Sequence, residues 1–516
     1  MLPQSQRAWI KASVVLVVLA GLAVWGVWGV WGIREFSRML PAAWRHAAPA
    51  PAPESATAVG DNPDDWHGLR WVAIGGGPTP EYNEASIEQD IAVATRVLGA
   101  AGKILFAGGA AAVDVREFDR SVTGDPLLLE LGDLFAPRSG RDSRYRSTVL
   151  QVAGAATRDN AEAALKSALA DGETPLLVYL AGHGDHGDKP RDNTMGLWAG
   201  GSISAAELAE LLDAFGRARP VQLVVTTCYG GGFADVVFTG ADPALGAAQV
   251  LRCGFFATSA DLPAAGCDPN PEDDAQHASY VRHFWHALVD EDDTGHPLPL
   301  ATLDLDGDGV VSPLEAHTRA RLMASDVDVP TTTSERWLRA KAPEHGPRVA
   351  APVAEDEWLI RELGRQTGLG EDRQQLQAQL KALEQQATRA QTDADDRRAD
   401  EDDTFAALAG ALLARWPILD DPWHPGFTAL VAGEHDAIAT FLALAPERVD
   451  YRQAVEATNS ADDAFWELRR RIAPIARLAR ALETRELAGR LKAKGGADWE
   501  TYQSLLACER RPFARP

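Results

Sequence analysis

Two apolar runs organise the chain, and each ends in one reactive side chain. Pro175 to Asp188 reads PLLVYLAGHGDHGD, and Val221 to Phe233 reads VQLVVTTCYGGGF. Each opens with an aliphatic and β-branched run of strand length and breaks at glycine, the pattern of a buried strand in a parallel sheet. His183 and Cys228 therefore fall at strand C-terminal ends, the rim on which open α/β sheets bind their ligands. The same reading gives strands in RWVAIGGG from Arg70, at Lys103 to Phe106 and at Cys253 to Ser259. Helices are predicted at Asn83 to Leu98, Asp159 to Leu169 and Ser204 to Phe215. In the first of them Ile87, Ile91, Val93, Ala94 and Val97 keep helical spacing. The stretch beyond Phe106 to about Ser147, with RSGRDSRYR, reads as a long loop, and Ala234 to Gln249 as a flexible loop. The alternation of strand and helix gives an α/β fold, a mostly parallel sheet flanked by helices on both faces.

Outside this core the pattern changes twice. Ser13 to Ile33, SVVLVVLAGLAVWGVWGVWGI, is uncharged and long enough to cross a bilayer as one helix, with tryptophans suited to an interface belt. The expected organisation is an N-terminal tail (1–12), a transmembrane helix (13–33), a Pro/Ala-rich linker (34–64), the α/β domain (65–345) and an all-α C-terminal domain (352–516). In the last, Leu376, Leu380, Leu383, Ala387, Ala390 and Ala394 form a short coiled-coil-like seam ending in DADDRRADEDD, and Phe465 to Ala493 keeps helical spacing. These helices are expected to pack on the α/β domain. Homodimerisation or recruitment of a protein partner through them is the alternative.

A His and a Cys on one rim are the minimum equipment of a thiol nucleophile. A free thiol, with its pKa of about 8.5, is mostly protonated at neutral pH, and a nearby imidazole can hold the thiolate. Gly182 and Gly184 permit a tight turn, and the backbone N–H groups beside His183 and at Cys228 would serve as an oxyanion hole. His186 is the second candidate for the base. His277, His283 and His286 lack partners at metal-ligand spacing and read as surface or core residues.

At 516 residues and 46% hydrophobic content the chain has room for two or three domains. Its net charge of −24 argues against nucleic acid and anionic lipid as partners. Gly75 to Gly77 lacks the spacing of a dinucleotide fingerprint and any Gly-Lys-Ser/Thr, so no nucleotide is expected. Four cysteines, Cys228, Cys253, Cys267 and Cys508, are too few for a disulfide framework in a chain of this length. Cys253 and Cys267 read as free, buried thiols, with a pair between them as the alternative in an oxidising compartment.

One further motif implies a cofactor. DLDGDGVVSPLE, Asp304 to Glu315, matches the twelve-residue calcium loop. Asp304, Asp306 and Asp308 supply carboxylates, Gly309 the sharp turn, Val310 its carbonyl, Ser312 the ninth position and Glu315 the bidentate closer. A helix from Pro313 to Met323 follows, but TGHPLPLATL separates the loop from any preceding helix. A lone Ca2+ loop of this kind suits high ambient calcium or a structural ion, and with the N-terminal anchor it favours a body outside the cytoplasm.

AGHGDHGD followed by TTCYGGGF resembles the caspase and legumain clan of cysteine peptidases. In that clan a His-Gly after one strand and a Cys after the next form a dyad. The resemblance implies a caspase-like fold, His183 as general base and acid, Cys228 as nucleophile, Gly184 as an amide donor to the oxyanion, and Ala234 to Gln249 as a loop that can be cut during activation. It extends over residues 65 to 345, through Arg70 to Gly77, Asn83 to Gly99, Ala155 to Leu169 and CGFFATSADLPAAGCDP from Cys253, and resembles bacterial legumain-like proteins most, including WPILDDPWHP and LLACE in the tail. Where relatives that cut after Asp or Asn hold basic residues, this chain has PEYNEAS, with Glu81, Glu84 and no Arg. Glu84, Asp185 and Asp261 are the candidates for an acidic pocket. The expectation is a single-pass, inner-membrane cysteine endopeptidase with a periplasmic body, acting on protein or peptide. The rival is a non-catalytic scaffold that recruits partners at the membrane. Transpeptidation through the same acyl-enzyme also stays open.

Overall fold

The computed structural model describes residues 70–513 apart from 120–122, 136–142, 171, 217–218 and 267–278. The expected tail, transmembrane helix (13–33) and linker (34–64) lie outside the described residues, as do Cys267 and His277. In chain order the elements are β1 (Trp71–Gly76), α1 (Ala85–Leu98), β2 (Gly102–Phe106), β3 (Val115–Phe118), α2 (Pro126–Phe135), β4 (Ser143–Arg146), α3 (Arg158–Ala170), β5 (Leu176–Gly182), β6 (Gly184–Asp185), β7 (Thr194–Leu197), β8 (Gly201–Ser204), α4 (Ala205–Phe215), β9 (Val221–Thr226) and β10 (Arg252–Phe256). Then follow α5 (Tyr280–Ala287), α6 (Pro313–Met323), β11 (Thr331–Thr332), α7 (Thr333–Lys341), α8 (Ala354–Thr367), α9 (Arg373–Leu413), α10 (Phe427–Leu444), α11 (Pro446–Lys494) and α12 (Ala497–Glu509). The chain divides into two compact units, a larger one within 57–124, 137–405 and 446–516, and a smaller one that includes 125–136 and 406–445.

In the larger unit six strands form one sheet in the order β11-β10-β9-β5-β1-β2, all parallel except the two-residue edge strand β11. Alternate residues serve opposite layers. Trp71, Ala73, Leu177 and Tyr179 join the core made with α1, α5 and α6. Val72, Ile74, Leu176, Val178 and Leu180 join the one made with α3 and α4. Both faces are covered, so β5 and β9 are buried at every position and mostly apolar, and the polar Gln222 of β9 is buried with its amide donating to the Cys508 and Arg511 carbonyls. The α4 helix starts at a capping box, in which Ser204 Oγ accepts from Glu207 N–H and the Glu207 carboxylate accepts from Ser204 N–H.

Two stretches depart from the sequence reading. The expected long loop before Ser147 contains β3, α2 and β4, with β3 and β4 paired antiparallel. Its charges mask the ribbon, because Glu117 accepts from both Arg144 and Arg146 across it. Ala234 to Gln249 is not an open loop at its start. Residues 230–237 form a 3-10 helix whose side chains are buried, with Phe233 and Phe238 fully inside.

The C-terminal half is helical, as its spacing predicts. Leu359 and Leu363 of α8, Leu376 and Leu383 of α9, and Leu478 and Leu482 of α11 share a core in the larger unit. The α9 helix runs straight through DADDRRADEDD. Helices expected as one domain over 352–516 divide between the two units. The last of them, α12, lies against β10. In the smaller unit the Trp416 and Phe441 rings meet edge to face, the Arg415 guanidinium stacks on Phe441, and His435 Nε2 lies 2.9 Å from Asp125 Oδ2. Among the described residues, α10 alone is long and apolar enough to cross a membrane, at a mean hydropathy of 1.3.

Candidate active site

The sheet register decides where the two reactive residues stand. Ala181 of β5 pairs with Thr226 of β9, so His183 and Cys228, each two residues further on, leave adjacent parallel strands at the same level. Between them the backbone is tight. A Cβ on Gly184 would lie 2.2 Å from the Cys228 carbonyl oxygen and 3.0 Å from Thr227 Oγ1, so only glycine lets the two chains pass. Directly after Cys228, Tyr229 adopts a left-handed conformation at φ 58°, which turns the chain into the 3-10 helix. Such a conformation in a bulky residue costs on the order of 1–3 kcal/mol and is held by its surroundings.

His183 is held by the turn that follows β1. Its Nε2 lies 2.9 Å from the Tyr82 carbonyl oxygen and 2.9 Å from Glu84 Oε2. Both partners accept, so Nε2 carries the proton and Nδ1 is the basic nitrogen of the ring. The Tyr82 ring stands edge-on to the imidazole at 5.6 Å. Glu84 precedes the first turn of α1 and is 5% exposed, with Oε1 4.0 Å from an Arg116 guanidinium nitrogen. The turn is itself fastened, since the buried Asn83 amide donates to Asp114 and its Oδ1 accepts from Gly77 N–H.

Cys228 is half-buried, and its Sγ accepts from the Ala264 N–H at 3.3 Å. The chain at Ala264 therefore lies beside the thiol, and Tyr229 N–H donates to Leu262 O. Ala265 N–H donates in turn to Asp328, a buried carboxyl pushed up to about 6 by burial. Asn193 ties the neighbouring loops together, donating to Tyr229 O and Ala260 O while its Oδ1 accepts from Gly187 N–H.

Of the other residues singled out, His186 is exposed and meets Tyr229 edge to face at 5.3 Å. Asp185 is exposed, and Asp261 accepts the Ser259 hydroxyl. Glu84 contacts the histidine. The backbone groups of Tyr82 and Ala264 left no mark in the sequence, because any side chain can present a carbonyl or an N–H. Glu84 could be singled out only through its place in PEYNEAS.

The calcium-loop residues are partly assembled. Carboxylate oxygens of Asp304, Asp306 and Glu315 lie within 4.8 Å of one another. Gly309 takes φ 89° at the sharp turn. Asp308 stands outside this cluster and accepts the Val310 N–H. Ser312 Oγ caps α6 by accepting the Glu315 N–H, while the buried Glu315 carboxylate accepts from Leu305, Asp306 and Ser312 N–H groups. An all-carboxylate oxygen set of this kind fits a hard divalent cation. His283 and His286, both buried, face Asp293 at 3.8 Å and Glu291 at 3.2 Å, and burial holds both below the ordinary histidine range.

The cysteine reading needs correction. Cys253 is not a free thiol; it forms a disulfide with Cys508, 255 residues later, because α12 packs across β10. Among the described residues Cys228 is the cysteine outside a disulfide. Neither a protein-family model nor a curated protein matches the chain, so the site is read from its own geometry.

Proposed function

We propose that the chain is a cysteine endopeptidase of the caspase and legumain kind, with His183 and Cys228 as its dyad. One observation carries this reading: the β5–β9 register sets the two residues side by side at the carboxyl rim, with Gly184 against the Cys228 backbone. Cys228 passes its thiol proton to His183 Nδ1, and the thiolate attacks the scissile carbonyl carbon. The oxyanion so formed is received by the Gly184 and Cys228 amides. The tetrahedral adduct collapses, the C–N bond breaks, and the leaving amine takes the proton from the imidazolium. Water then gives its proton to His183 and its hydroxyl to the thioester, releasing the acid and the thiol.

The Cys253–Cys508 disulfide supports a body in an oxidising compartment, which agrees with a periplasmic body on the apolar segment 13–33 as its membrane anchor. Asp304, Asp306 and Glu315 would hold a Ca2+ ion, whose bound charge would fasten the loop that leads into α6. The test is the full chain in detergent against a diverse peptide library, beside Cys228→Ala, with calcium and with chelator. Cleavage that needs the thiol is expected. A wild-type protein that cuts nothing, and whose Cys228 also resists mild alkylation, would leave the non-catalytic scaffold as the better account.

A further inference from the structure

We infer that Glu84 is the positioning residue of the dyad, a carboxylate that orients His183 and stabilises its imidazolium form. This rests on the peptidase reading above but makes a claim of its own. The helix start offers Glu84 a different role: an acidic side chain before the first turn ordinarily turns back to the helix N–H groups. Glu84 makes no such cap. Its Oε2 goes instead to His183 Nε2 at 2.9 Å, and its Oε1 faces Arg116.

The surroundings hold the carboxylate in place. Arg116 N–H donates to Asn83 O, Arg116 donates to Glu81 O and to Ser143 Oγ, and the Asn83 amide is locked to Asp114. A displaced Glu84 would thus have to break a turn built from three segments. Among the described residues, Arg116 from β3 and Tyr82 from the turn face the pair, Asp185 follows two residues along from the histidine, and Cys228 leaves the adjacent strand β9 at the same level.

Two consequences separate this role from simple packing. With Nε2–H bonded to Glu84, the ring presents Nδ1 as its base, so the tautomer is set before substrate arrives. A carboxylate at hydrogen-bond distance also favours the charged imidazole, which in turn holds the thiolate. The Tyr82 carbonyl can do the first but carries no full charge for the second.

The experiment uses the full chain in detergent as wild type, Glu84→Gln and Glu84→Asp. Modification of His183 by diethyl pyrocarbonate, which takes only neutral imidazole, is followed against pH by peptide mapping. In Glu84→Gln the inflection is expected to fall by about one pH unit, with Glu84→Asp between it and wild type. In the cleavage assay the alkaline limb of kcat/KM should move down in step, with a loss of about 10- to 100-fold at the optimum. An inflection that stays in place in both variants overturns the role of Glu84, whatever the cleavage assay shows. An inflection that moves in a protein that cleaves nothing supports the pair and removes the peptidase reading. Should Glu84→Gln fail to fold, Glu84→Asp alone decides by whether its inflection moves.

Discussion

Cys253 on β10, next to the edge strand of the sheet, is joined to Cys508 in the last helix, across 255 residues of sequence. The helical tail is therefore part of the α/β body. Gln222 on the neighbouring strand donates to the Cys508 and Arg511 carbonyls, and Glu509 accepts from Thr333 and Ser334 at the start of α7. Peptide mapping without reduction should recover the Cys253–Cys508 cross-link. Cys508→Ser should lower stability to urea by about 2–4 kcal/mol, as loss of a bridge closing a long loop does. A recovered Cys253–Cys267 link would contradict this arrangement.

Gly184 should tolerate no side chain. In Gly184→Ala the new methyl carbon meets the Cys228 carbonyl at 2.2 Å and the Thr194 carbonyl at 3.1 Å, so the two strand ends must separate. Overpacking of this kind costs about 1–3 kcal/mol. Peptide cleavage should fall by about 100-fold or more, since the dyad and the oxyanion amides share that backbone. Kinetics on a folded Gly184→Ala protein decide it; near wild-type kcat/KM would show that the close approach is not needed.

Calcium should stabilise the larger unit through its acidic loop. Isothermal titration is expected to find one site, and a calcium concentration 100 times Kd should add about 2.7 kcal/mol to unfolding. Asp306→Ala removes a carboxylate from the cluster without touching the Ser312–Glu315 cap of α6, so it should abolish the calcium increment and leave the metal-free stability close to wild type. An increment that survives this substitution would place calcium elsewhere.

The buried Asp90 of α1 gives a signed pH dependence. Burial pushes its carboxyl up to about 7, against the lowering effect of Arg282 and with the help of Asp328. The unfolded chain loses this proton near pH 4 and the folded chain keeps it to about 7. Its stabilising contribution is therefore complete below pH 4 and is lost as pH rises through 7, at no more than about 1.4 kcal/mol per pH unit. Urea midpoints measured from pH 4 to 8 should fall less steeply in Asp90→Asn than in wild type. Equal slopes would show that Asp90 does not titrate in this window.

The elements legible in the sequence were those whose cause is local. β5, β9 and β10 are legible because a strand covered on both faces is mostly apolar, and β5 and β9 run into a glycine break. The α6 helix matched its expected bounds because Ser312, Pro313 and Glu315 form a complete start signal within four residues. The β3–β4 ribbon was missed because it is short, charged and held by pairs across strands, and such pairs have no period along the chain.

The same division holds at the site. Sequence alone singled out His183 and Cys228 and determined that both follow buried strands, since strand length, apolar runs and glycine breaks are properties of neighbouring residues. Tertiary structure decided that these strands are adjacent and in register, that Glu84 meets the imidazole, that the Ala264 N–H meets the Cys228 sulfur and that Cys253 pairs with Cys508. Each of those contacts joins segments tens to hundreds of residues apart. They arise from packing two apolar layers on one sheet, and no spacing of residues along a chain encodes which distant segment will meet which.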